Sequence, residues 1–124
     1  MRILNVEDSP YKHRQICDVL AGAGERNIDV ESTLDAALAR IKAGFEEGMP
    51  YQLIITDMWY PENSGGPDAQ SGDKLIELVK QNGWEIPVIV CSSVNYKYPG
   101  ILGSIHYSEN EDWETELVRL LKKL

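Results

Sequence analysis

Leu53-Ile54-Ile55-Thr56-Asp57 is a short apolar run that stops on a carboxylate, and a polar loop follows it directly. Two other runs behave in the same way. Ile3-Leu4-Asn5-Val6 ends in Glu7-Asp8, and Ile86-Pro87-Val88-Ile89-Val90-Cys91 ends in Ser92-Ser93. Short continuous apolar runs that alternate with helical patterns read as parallel strands buried on both faces. In such sheets ligands gather in the crevice at the carboxyl ends of the strands. Glu7, Asp8, Asp57 and the Ser92 hydroxyl are therefore expected to meet at one rim.

Working outward, strand and helix alternate along the whole chain, which indicates an α/β fold with right-handed crossovers. The first strand is expected over residues 2–6. A helix follows after Ser9, with Pro10 at the first helical position, where its missing N–H costs nothing. Ile16, Val19 and Leu20 supply its buried face, and Gly22 and Gly24 end it. A weaker second strand spans 27–31. The second helix is capped by Ser32 or Thr33, carries Leu34, Ala37, Leu38 and Ile41 on its apolar stripe, and ends near Gly44 or Gly48. After the strand that leads to Asp57, residues 58–71 form a long loop rich in Pro, Gly, Asn and Ser. Loops of that length without structure are usually functional or mobile. The third helix is expected over 72–81 and the fourth strand over 88–92. Residues 94–103 have little helical character, and Pro99 and Gly100 oppose a helix there. A fifth strand covers 104–107. The last helix starts near Ser108, where Glu111 fits a capping box, with Trp113, Leu117, Leu120, Leu121 and Leu124 as its stripe.

The chain has 124 residues, 43% hydrophobic and 26% charged, enough for one globular domain over 1–124. Its formal net charge of −8 argues against sequence-independent nucleic-acid binding, which needs clustered Lys and Arg. No apolar run approaches the roughly 20 residues of a membrane span. The N-terminus runs straight into a strand, so no signal peptide is expected. Cys17 and Cys91, both in apolar patterns, suit two unpaired thiols in a reducing cytoplasm.

A carboxylate such as Asp57 can attack phosphorus to form an acyl phosphate. Neighbouring acids would oppose this by repulsion, which a bound Mg²⁺ would relieve. Taken together, Val6-Glu7-Asp8-Ser9, Leu53-Ile54-Ile55-Thr56-Asp57 with Pro61 four residues on, Gly72-Asp73-Lys74-Leu75, and Ile86-Pro87-Val88-Ile89-Val90-Cys91-Ser92 resemble the receiver domain of two-component response regulators. The resemblance covers nearly the whole chain. It implies a flavodoxin-like (CheY-like), doubly wound, five-stranded parallel sheet of order 2-1-3-4-5. Asp57 matches the phosphoacceptor. Glu7 and Asp8 match the acidic pair that binds Mg²⁺, and the backbone carbonyl of Trp59 matches a third protein ligand. Ser92 matches the Ser/Thr that contacts the phosphoryl group.

The chain departs from the family pattern in three places. The family has a Lys at the end of the fifth strand, whereas this chain has no Lys or Arg between Lys97 and Arg119. Tyr107 or His106 takes that position, depending on the register. The loop after Asp57 is longer, with its extra residues around 62–71. The fourth helix is short or missing, and Tyr96 and Tyr98 could fill some of its space, mark a contact surface or pack over the end of the sheet. Trp59, Tyr60 and Trp84 are candidate binding anchors, with Trp84 also suited to plugging the end of the third helix. His13 reads as a solvated helix residue.

Two readings follow. One is a receiver that takes a phosphoryl group on Asp57 from a histidine kinase or phosphotransfer protein, requires Mg²⁺, and signals through protein contacts with an unidentified output partner. It is a cytoplasmic signalling protein rather than an enzyme, with no direct nucleic-acid or membrane contact. The other is a degenerate receiver that binds proteins independently of phosphorylation. A phosphatase with an Asp nucleophile would need a second acid two residues on, where Trp59 stands.

Overall fold

A computed structural model describes all of residues 1–124. In chain order the elements are β1 (Ile3–Val6), α1 (Pro10–Gly22), β2 (Ile28–Glu31), α2 (Leu34–Glu46), β3 (Leu53–Thr56), β4 (Tyr60–Pro61), β5 (Asp68–Ala69), α3 (Ser71–Gln81), β6 (Val88–Ser92), β7 (Gly103–His106) and α4 (Trp113–Leu121). Five strands form one parallel sheet in the order β2-β1-β3-β6-β7. Counting only these five, the order is the 2-1-3-4-5 that the sequence implied.

Successive residues of a strand face opposite sides of the sheet, and here both sides are buried. Ile3, Leu53, Ile55, Ile89, Cys91 and Ile105 pack with Ile16 and Leu20 of α1 and with Trp113, Leu117 and Leu120 of α4. Leu4, Val6, Ile54, Val88 and Val90 pack on the other side with Leu34, Ala37 and Ile41 of α2 and Leu75, Ile76 and Val79 of α3. This is why the strands read as unbroken apolar runs. Each Leu or Ile so enclosed contributes about 1.5–3 kcal/mol.

The helix starts follow from their caps. Ser9 Oγ accepts from Lys12 N at 3.3 Å, with Pro10 opening α1. Of the two candidate caps for α2, Thr33 takes the role, its Oγ1 accepting from Ala36 N at 3.2 Å.

Three expectations change. The segment after Asp57 is not an unstructured loop: Tyr60–Pro61 pairs antiparallel with Asp68–Ala69, closed by a turn in which Gly66 N donates to Asn63 O at 3.0 Å and Gly65 has φ of 80°. The hairpin is fastened to the body by the Asp35 N to Glu62 O hydrogen bond of 2.9 Å and by the Lys74–Glu62 ion pair. The last helix begins at Trp113 rather than near Ser108. Asp112 caps it by accepting from Thr115 N at 3.2 Å, while Ser108 and Glu111 belong to a preceding turn. Leu124 lies beyond the helix and is 46% exposed, outside the apolar stripe. Between β6 and β7 there is no helix, as the sequence suggested, and Tyr96, Tyr98 and Ile101 pack on the core in its place.

Candidate functional site

The parallel register brings the chemistry-bearing residues level. Val6 pairs with Thr56, and Asp57 N donates to Val6 O at 3.0 Å, so Glu7 and Asp57 leave the sheet side by side. Thr56 pairs with Val90, which puts Asp57 level with Cys91 and one step before Ser92. Oxygens of Glu7, Asp8 and Asp57 all lie within 4.8 Å of one another. The expected convergence of three carboxylates is therefore present.

The three acids differ in environment. Glu7 is almost completely buried, Asp57 is partly open with a side-chain exposure of 17%, and Asp8 is exposed. Burial pushes the Glu7 carboxyl up despite the neighbouring Lys12 charge, and Asp57 adds to the rise. The Asp8 carboxyl is also raised, first by burial and then by Asp68 of the hairpin. Glu7 Oε2 accepts from Ser9 N at 3.2 Å, while Oε1 faces the Lys12 ammonium at 2.9 Å. Asp57 Oδ1 accepts from Met58 N at 2.7 Å, and no hydrogen bond engages Oδ2.

Three clustered carboxylates form an all-oxygen donor set, which suits a hard divalent cation of the Mg²⁺ type. The donors present thus fit the ion that the resemblance implies. Trp59, whose carbonyl the resemblance adds to that set, follows two residues after Asp57. The residue is 41% exposed, and its indole donates through Nε1 to Tyr96 Oη at 3.0 Å.

Ser92 ends β6, the strand beside β3, and is buried; its Oγ accepts from Val94 N at 3.3 Å. The two candidates for the strand-end position have different surroundings. His106 is the last residue of β7, and its Nε2 lies 3.0 Å from Ser93 O. Tyr107 faces α1: its hydroxyl donates to Gln15 Oε1, and its ring lies under the Lys12 ammonium.

Lys12 is the site residue that the sequence reading missed. Its Nζ donates to Cys91 O at 2.6 Å and stands 2.9 Å from Glu7 Oε1 and 3.5 Å from Asp57 Oδ1. Burial opposes its charge, but Glu7 foremost, with Cys91 and Asp57, outweighs that and holds the ammonium above its ordinary range. Two signals pointed to it. Lys12 lies at i, i+4, i+8 spacing with Ile16 and Leu20, on the inward face of α1. It also sits in the first turn, where a cation opposes the helix dipole unless an anion is near.

Other expectations need correction. Tyr60 is fully buried, with its hydroxyl 3.0 Å from Thr56 Oγ1, and so cannot anchor a partner. Trp84 packs against the core and stacks on Phe45 at 5.9 Å, consistent with a plug at the end of α3. His13 is not simply solvated: its Nδ1 lies 2.7 Å from Asn5 Oδ1, and burial lowers its pKa. Cys17 and Cys91 are both free thiols.

No protein-family model matches the sequence, and no curated relative matches it. Solved structures resemble it across almost its full length. The N-terminal domain of a response regulator/sensory box/GGDEF three-domain protein from Carboxydothermus hydrogenoformans is 20% identical with a TM-score of 0.67, covering 99% of this chain and 92% of that one. The signal receiver domain of a putative LuxO repressor protein from Vibrio parahaemolyticus is 20% identical with a TM-score of 0.69, covering 98% and 90%. The phosphorylated cyanobacterial phytochrome response regulator RcpA is 19% identical with a TM-score of 0.70, covering 98% and 89%. The five-stranded order, the helices on both faces and these neighbours agree: the fold of this chain is that of the response regulator receiver domain.

Proposed function

We propose that this protein is a receiver that accepts a phosphoryl group on Asp57 from a histidine kinase or phosphotransfer protein. The observation that carries the reading is the convergence of Glu7, Asp8 and Asp57 oxygens within 4.8 Å at the carboxyl end of a receiver-type sheet. Asp57 is the acid placed to react. Its Oδ1 is held by Met58 N, which leaves Oδ2 to attack phosphorus. A phosphorus–oxygen bond forms to Oδ2 as the donor's phosphorus–nitrogen bond breaks, and the departing nitrogen keeps the electron pair. Glu7, Asp8, Asp57 and the Trp59 carbonyl would hold Mg²⁺, with Asp8 the most accessible of the carboxylates. Bound there, the ion would neutralise charge on the transferring group. Ser92 would donate to a phosphoryl oxygen. The protein would work in the cytoplasm, with output through protein contacts rather than DNA, in keeping with its net charge of −8.

One observation favours the second reading, a phosphorylation-independent binding module: the connection from β6 to β7 contains no helix. No helix of this chain is long and apolar enough to cross a membrane.

The deciding experiment is intact mass after incubation with acetyl phosphate, with and without Mg²⁺, beside Asp57→Asn. A gain of one phosphoryl group that requires Mg²⁺ and is lost in the variant is expected. A folded protein that gains none at any donor concentration sinks the phosphotransfer reading and leaves the binding module.

A further inference from the structure

We propose that Lys12, reaching in from α1, is the cation that contacts the phosphoryl group at Asp57, in place of a lysine at the end of the last strand. The inference rests on the phosphoacceptor reading of Asp57 and names the residue that balances its charge. No Lys or Arg other than Lys12 lies within 4.0 Å of the Asp57 carboxylate, and Lys12 Nζ stands 3.5 Å from Oδ1. Three contacts fix it there: the 2.6 Å hydrogen bond to Cys91 O, the 2.9 Å approach to Glu7 Oε1, and the Tyr107 ring, whose centroid is 5.1 Å from Nζ.

The anchor on Cys91 O is informative. Cys91 is level with Asp57 in the sheet and precedes Ser92, so the ammonium lies on the β6 side of the acceptor carboxylate. Tyr107, the residue just past β7, supplies no charge. It braces the arrangement from below, with its ring under Nζ and its hydroxyl bonded to Gln15, three residues along the same helix. A strand-end position without a cation is thus matched by a helix residue whose cation occupies the adjoining space.

The electrostatics favour a functional placement over a merely structural one. Burying an ammonium is costly before any partner is counted, and an apolar residue on this face of α1 would avoid that cost. A phosphoryl group on Asp57 would place about two negative charges where the carboxylate carried one, beside two further carboxylates. A preformed cation held at fixed distance stabilises such developing charge without reorganising when the reaction occurs.

The test compares wild type with Lys12→Gln, with folding checked by circular dichroism. Three readouts are taken: Mg²⁺ affinity from tryptophan fluorescence, affinity for beryllofluoride in the presence of Mg²⁺, and the initial rate of labelling by acetyl phosphate. Lys12→Gln is expected to keep or tighten Mg²⁺ binding, because a competing positive charge is gone. It should label on the order of 10²-fold more slowly and lose beryllofluoride affinity. Returning a cation at the strand end, by Tyr107→Lys in the Lys12→Gln background, should recover part of both losses. A folded Lys12→Gln that labels and binds beryllofluoride like wild type overturns the proposal. Independently of any variant, the Lys12 ammonium resonance of the wild-type protein should shift on adding beryllofluoride beyond its shift with Mg²⁺ alone, and no further shift overturns the proposal. A wild type that is never labelled and never binds beryllofluoride overturns the phosphoacceptor reading itself, and Lys12 with it, which is a different result from a variant that matches an active wild type.

Discussion

Gly72 leaves no room for a side chain against Asp57: a Cβ there would stand 2.5 Å from the Asp57 carbonyl oxygen and 2.8 Å from Met58 Cα. Both obstacles are backbone, and Gly72 N also donates to Met58 O at 3.1 Å, so the first turn of α3 lies directly against the chain leaving β3. Gly72→Ala must push the two apart. The expected cost is about 1–3 kcal/mol, read as a lower urea midpoint with an unchanged slope. Mg²⁺ binding should weaken with it, because the displaced segment carries Asp57.

Tyr60 separates packing from polar contributions beneath the site. Thr56 Oγ1 donates to Asp57 O at 2.7 Å, so the Tyr60 hydroxyl at 3.0 Å is the donor to Thr56. Burial keeps that phenol neutral, far above its ordinary titration range. Tyr60→Phe should lose only about 0.5–1.5 kcal/mol, whereas Tyr60→Ala should lose about 3–5 kcal/mol. Chemical denaturation of the two variants checks the contrast, and equal losses would refute it.

His13 should make the protein acid-sensitive. Burial lowers its pKa from the ordinary 6.5, so the unfolded chain takes up the proton more readily than the folded one. Stability from this group is complete above 6.5 and declines as pH falls through that value toward the folded pKa. NMR titration should place the His13 ring below 6.5. In His13→Asn this part of the stability slope should disappear.

The two thiols should react unequally. Burial pushes the Cys91 thiol up to about 12, and its residue is 1% exposed. Thiolate is the reactive form, so a thiol-selective reagent near neutral pH should modify the half-buried Cys17 slowly and Cys91 not at all. Both should react in denaturant. Prompt modification of Cys91 in the native protein would contradict its burial within β6, beneath α1 and α4.

The parts of the site legible in the sequence were those that strand register dictates. Once β1 and β3 are parallel neighbours ending on acids, Glu7, Asp8 and Asp57 must converge, and no detail of side-chain packing can undo it. Lys12 escaped notice because the search for a cation followed the strand end, while the cation arrives across a helix turn. The hairpin at Tyr60–Ala69 was hidden because its strands are two residues each, too short for any alternation. The start of α4 was misplaced because Ser108 and Asp112 are both good caps, and the choice between them depends on where β7 releases the chain.

The two faces of the sheet are covered unequally. The side with α1 and α4 is roofed by helices, while over the last crossover the other side has only Ser93–Leu102, a loop with few backbone hydrogen bonds of its own. Local opening is cheapest where tertiary cover is thinnest. The β7 edge is therefore expected to open before the centre of the sheet, its amides trading hydrogen with water while β1 and β3 still hold theirs.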